Sequence, residues 1–157
     1  VMPRYNLFET SHLALQDALF MGAQSFSKQY VQNTKTALDI QKLKIIIASS
    51  MQLIHLKELY VIPALEAYEP ALVDALKQHH KQAKAWAKKL LAAFTQPQDE
   101  HLANLYKKYM CAQLQCSIQC EDMLNPVLWF YYTDKELQEL EQPLLQAADI
   151  LIERQAA

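Results

Sequence analysis

The sequence predicts an all-α protein. A single glycine, Gly22, in 157 residues is too few to build the turns and bulges of a sheet. Ala, Leu, Gln, Lys and Glu dominate, and these side chains lose little freedom in a helix. Prolines and capping motifs divide the chain into five periodic segments, four of them long and joined by short connections. That organisation predicts an up-down-up-down four-helix bundle with an additional C-terminal helix lying across or beside it. Residues 1–157 then form one domain.

The elements follow in order. Asn6 and Glu9 form an N-x-x-E cap that opens a helix over about 6–30. After the loop VQNTKT, Thr36 and Asp39 open a second over about 36–67, which contains Pro63. Pro70 sits where a first-turn proline is favoured and starts the third, about 70–94. TQPQD is a loop, and the fourth helix spans about 99–125, ending before Pro126. The run T-D-K-E, Thr133 to Glu136, is a capping box for the C-terminal helix, about 133–155, which Pro143 kinks or delays.

Composition excludes several classes. With 52% hydrophobic and 20% charged residues the chain is globular and not disordered. A net charge of −2 gives no footprint for nucleic acid or an anionic membrane. The apolar runs are broken by Lys, Gln or Ser short of a membrane span, and VMPRYNLFET has no secretory h-region. Cys111, Cys116 and Cys120 are odd in number and lack C-x-x-C spacing, which predicts reduced thiols and a cytoplasmic setting. No phosphate loop, G-x-S-x-G or H-E-x-x-H occurs, and the expectation is a protein that is not an enzyme. KQAKAWAKK reads as a solvated helix face balanced by acidic residues elsewhere, and WFYY, Trp129 to Tyr132, as a cover for the end of the core.

At 100° per residue, each expected core stripe carries polar or sulfur groups. Phe8, Leu15, Leu19, Gly22 and Phe26 align with His12 at their edge; Ile40, Leu43, Ile47, Met51, Ile54 and Val61 enclose Glu58. His79 and His80 border the third stripe, and Cys116 and Cys120 lie within the fourth, between Ala112 and Met123. As plain structure, the histidines are half-buried edge residues and the cysteines are small hydrophobes. Glu58 is harder to place, because a carboxylate inside an apolar stripe needs a partner, a proton or a metal.

Two segments rhyme. ELYVIPAL, Glu58 to Leu65, and EDMLNPVL, Glu121 to Leu128, both read E-x-x-[VL]-x-P-x-L, which suggests two similar helical hairpins. With RYNLFETSHLALQDAL, HLKELYVIPALEAYEPALVDALKQHH and CEDMLNPVLWFYYTDKEL, the chain resembles the hemerythrin-like, or HHE cation-binding, family over nearly its whole length. The resemblance implies a duplicated-hairpin bundle built to hold two irons with histidines and carboxylates. It implies that His12 and His80, with His79 the lesser choice, are ligands.

The family's H-x-x-x-E motifs precede the two prolines by ten and six residues, where this chain has Leu53 and Lys57, and Cys116 and Cys120. Glu58 and Glu121 match the second glutamate of each E-E pair, and the helical wheel turns Glu121 away from the core. Four of the six usual ligands are thus absent. The favoured expectation is a bundle without a cofactor, its site repacked by Leu53, Cys116 and Cys120, acting as a regulatory or interaction module with an unidentified protein partner. The alternative is an iron- or zinc-binding, oxygen- or redox-sensing bundle using His12, Glu58, His80, Cys116 and Cys120. A third is thiol redox sensing by Cys116 and Cys120 alone, although an i, i+4 helical pair cannot form an unstrained disulfide.

Overall fold

A computed structural model describes residues 4–31, 39–95 and 101–156. Their regular structure is all helical, with no strand among the described residues. Helix α1 is Glu9–Val31. Helix α2 runs from Ile40 to Glu66, passing through a π-helical turn at Lys57–Val61. Helix α3 is Pro70–Ala93. Helix α4 comprises Leu102–Gln119, a second π-helical turn at Cys120–Leu124, and Asn125–Tyr131. Helix α5 is Asp134–Ala156. The expected starts at Thr36 and Asp99 lie outside the described residues.

The caps explain the boundaries. Asn6 Oδ1 accepts from the Phe8 N–H at 3.0 Å, and Asp39 Oδ1 from the Lys42 N–H at 3.0 Å. Pro70 occupies the first turn of α3. At α5 the Thr133 N–H donates to Glu136 Oε1 at 3.1 Å, and the Glu136 N–H returns a bond to Thr133 Oγ1 at 3.2 Å. That box fixes the start of α5 at Asp134, so Pro143, inside the helix, does not delay it.

Consecutive helices touch from α1 to α4, α4 closes back on α1, and α3 packs most extensively on α4. Helix α5 lies against α1 and α2, burying Leu137, Leu144, Ala147 and Ala148. Helix α2 is long and apolar enough by composition to cross a membrane, contrary to the expectation that no run is; half of that window is buried against its neighbours. Of WFYY, Trp129 Nε1 donates to Tyr5 O at 2.8 Å and the Tyr132 hydroxyl to Ala64 O at 2.6 Å, tying down the end of the core. Phe130, 82% exposed, covers nothing.

Gly22 is the one glycine, and packing requires it. Tyr106 of α4 crosses α1 there and donates its hydroxyl to Leu19 O at 2.7 Å, its ring 5.2 Å from that of Phe26. A Cβ at position 22 would run into the Tyr106 hydroxyl and ring. Gly22→Ala is therefore expected to lower the unfolding free energy by up to about 2 kcal/mol, an overpacking cost of about 1–3 kcal/mol less the ~1 kcal/mol that alanine gains in helix propensity. Urea denaturation checks this, and a stabilised variant would contradict the packing.

The fourth helix does not end at Asn125. Pro63 and Pro126 each follow a π-helical turn, whose closing bonds are Ile62 N–H to Lys57 O and Asn125 N–H to Cys120 O. A proline in a regular helix lacks a donor and its ring meets the carbonyl four residues back. The wider turn relieves that clash, and the helix continues past each proline. The extra residue also resets the faces: Leu124 is buried, and Met123, expected in the core, is 51% exposed.

Candidate functional site

The two π-helical turns occupy equivalent places, each beginning six residues before its proline. They aim the side chains that follow. In α2 the buried face runs through Leu43, Ile46, Ile47, Ser50, Leu53 and Ile54 to Lys57. Lys57 is 1% exposed, whereas Glu58, expected in that stripe, has a side chain 30% exposed at its rim. In α4 the equivalent of Lys57 is Cys120, fully buried, and the equivalent of Glu58 is Glu121.

His12 and His80 lie within the core and not at its edge, at 5% and 0% exposure, while His79 is only partly buried. Each imidazole meets one of the rim carboxylates. His80 Nδ1 is 3.1 Å from Glu58 Oε1, and Lys84 donates to the same oxygen at 2.8 Å. His12 Nδ1 is 3.4 Å from Glu121 Oε1, a long contact beyond good hydrogen-bond geometry. Glu121 thus turns toward the core, not away from it, because the π-helical turn adds a residue that a uniform 100° wheel does not contain.

Asn6 braces this end. Its amide nitrogen lies 3.5 Å from Glu121 Oε1, and its Oδ1 accepts from Asn125 Nδ2 at 2.8 Å. The Phe8 ring stacks on His12 at 5.2 Å between centroids.

Lys57 decides what the site can hold. Its Nζ lies 2.6 Å from His12 Nε2 and 5.7 Å from the Phe8 ring centroid. An ammonium only donates, so His12 Nε2 is the acceptor and the ring proton sits on Nδ1, facing Glu121. A carboxylate only accepts, so the His80 proton likewise sits on Nδ1, and its Nε2 lone pair faces inward with no hydrogen-bond partner. Two imidazoles, each steadied by a carboxylate on one nitrogen, thus present their other nitrogen to the interior. That is how metal-bound histidines are oriented. Here one of those lone pairs is taken by an amine.

The electrostatics follow. Burial, with Lys57 adding to it, lowers the pKa of His12 to about 4, against the partial opposition of Glu121. Burial and Lys57 bring His80 to about 4 as well, with Glu58 opposing. Burial pushes Glu58 up, but Lys84 and His80 outweigh it and its carboxyl falls below the usual range. The close approach of His12 leads the causes that lower Glu121, against its burial. Cys116 is raised to about 11 by burial and Cys120 is raised for the same reason, so both are disfavoured as thiolates.

The site therefore gathers His12 with Glu121, His80 with Glu58, and Lys57. Leu53, Cys116 and Cys120 are buried. Among the described residues no three His, Cys, Asp or Glu side chains are grouped so as to hold a metal ion. The residues do not fit an iron or zinc at this place, because Lys57 Nζ sits on the lone pair of His12 that such an ion would take. Sequence reasoning placed Lys57 at a missing ligand position but did not expect it in the core, because lysine is almost never fully buried. The rhyme between ELYVIPAL and EDMLNPVL held the signal: it aligns Lys57 with Cys120, already expected in the core. Comparison with protein-family models, with curated proteins and with solved structures finds no match for this chain.

Proposed function

We propose that this protein is a hemerythrin-like, up-down-up-down four-helix bundle in which a lysine ammonium stands in for the metal, and that it serves as a non-enzymatic regulatory or interaction module. The observation that carries the reading is the 2.6 Å approach of Lys57 Nζ to His12 Nε2 in a buried setting. Three further features support it. The π-helical turns repeat on α2 and α4, and each turn carries the glutamate of a His–Glu pair whose histidine comes from α3 or α1, as duplicated hairpins would. The helices contact one another in a closed cycle from α1 to α4. Leu53, Cys116 and Cys120 fill the positions where the family places ligands.

One internal cation then acts on Glu121 without a bound ion, while Lys84 pairs with Glu58 from the rim. Thiol redox sensing by Cys116 and Cys120 has less support, since burial raises both thiols. The inward Nε2 of His80 is the feature that favours the metal-binding alternative, and it distinguishes the two readings by experiment. A chelator is expected to leave the melting temperature of the purified protein unchanged. A metal held at 100 times its dissociation constant would contribute about 2.7 kcal/mol, and its removal would lower the melting temperature by several degrees.

A further inference from the structure

The charge of this chain is unevenly placed. In a protein of net charge −2, the described residues 77–95 and 101–119 carry seven lysines and no carboxylate. Five run from Lys77 to Lys89 on α3, and Lys107 and Lys108 stand on α4, the helix that α3 packs against most extensively. Lys77 and Lys84 turn to the α2 flank, 3.4 Å from Glu66 and 2.8 Å from Glu58. Lys89, Lys107 and Lys108 lie on the other flank, where no carboxylate among the described residues pairs with them.

That flank is a groove of about 470 Å³ between α3 and α4. Trp86 lines it, with Lys89 Nζ 4.5 Å and Lys108 Nζ 5.1 Å from its ring. The side-chain amides of Gln82, Asn104 and Gln115 complete its walls beside Lys107, and Cys111 opens onto it.

We propose that this groove docks an acidic segment of a partner protein. The lysines supply charge complementarity, and amides that both donate and accept suit a peptide backbone between the carboxylates. A nucleic acid fits less well. Among the described residues neither helix carries an arginine for bidentate phosphate contacts, and the one aromatic ring is already engaged by two ammonium groups instead of being free to stack on bases. None of the lining residues belongs to the His12–Lys57–His80 array, so the proposal stands or falls independently of metal content.

The test is fluorescence anisotropy of a labelled oligo-glutamate peptide, with alkylation of Cys111, the exposed cysteine, as a local footprint. The peptide should bind the intact protein, weaken as salt rises, and slow Cys111 alkylation. The pair Lys107→Glu/Lys108→Glu should weaken binding at least about tenfold with an unchanged melting temperature, and Lys81→Glu/Lys88→Glu, on the outer face of α3, should weaken it less. Absence of binding, or equal loss in both pairs, would overturn the proposal. So would a single-stranded oligonucleotide of matched charge that protects Cys111 better than the peptide.

Discussion

Lys57→Glu is expected to destabilise the metal-free protein by about 3–5 kcal/mol, the range for leaving a buried charge without its partner. The substitution removes the donor at His12 Nε2 and adds an anion beneath two imidazoles that already face the rim carboxylates Glu58 and Glu121. The same variant should become responsive to divalent metal. A carboxylate at position 57 joins the inward nitrogens of His12 and His80, so zinc or ferrous iron should raise its melting temperature while leaving that of the native sequence unchanged.

Lys57→Met separates charge from packing. It keeps a long flexible side chain, removes the ammonium, and should gain no response to metal. A Lys57→Glu protein as stable as the native one without metal would show that the ammonium is not what balances the site.

The second large effect is with pH. His12 and His80 are neutral in the folded protein and have pKa values lowered from 6.5 to about 4. The unfolded chain binds protons at these histidines first, near pH 6.5. Between there and about pH 4 it carries more protons than the folded protein, so stability falls as pH falls. The slope is about 1.4 kcal/mol per pH unit for each histidine, which amounts to about 3 kcal/mol each when the window is crossed.

Glu58 and Glu121, lowered below their ordinary range, add a further loss at lower pH as they are protonated. Urea denaturation from pH 7 to pH 4 measures the combined slope. Lys57→Met should flatten it, because Lys57 is one of the two main causes that depress both imidazoles. Stability that holds flat from pH 7 to pH 4 would mean that His12 and His80 are not buried as neutral rings.

Much of this arrangement could be read from local chemistry. The Thr133–Glu136 capping box, Pro70 at the head of α3 and the α1 stripe through Phe8, Leu15 and Leu19 depend on near neighbours and on regular helical periodicity, and each occurs where expected. His12 and His80 were legible as polar residues bordering apolar stripes. What periodicity could not give was the π-helical geometry before Pro63 and Pro126. A uniform wheel has no place for an inserted residue, and so it sent Glu121 outward, Met123 inward and Glu58 to the place that Lys57 holds. A proline read as a stop likewise truncated α4 before Tyr131. Lys57 was noted at a missing ligand position, but its burial was not legible for a different reason: it depends on an acceptor brought by α1, forty-five residues away in the chain.

The central claim is that the Lys57 ammonium takes the place of a metal. The most direct test is the metal content of protein purified without a metal-affinity tag from iron- and zinc-supplemented cells, with an absorption spectrum recorded in air. The account predicts substoichiometric metal and no charge-transfer bands. Stoichiometric iron with near-ultraviolet charge-transfer absorption, or stoichiometric zinc, would contradict it and would require Lys57 to leave His12.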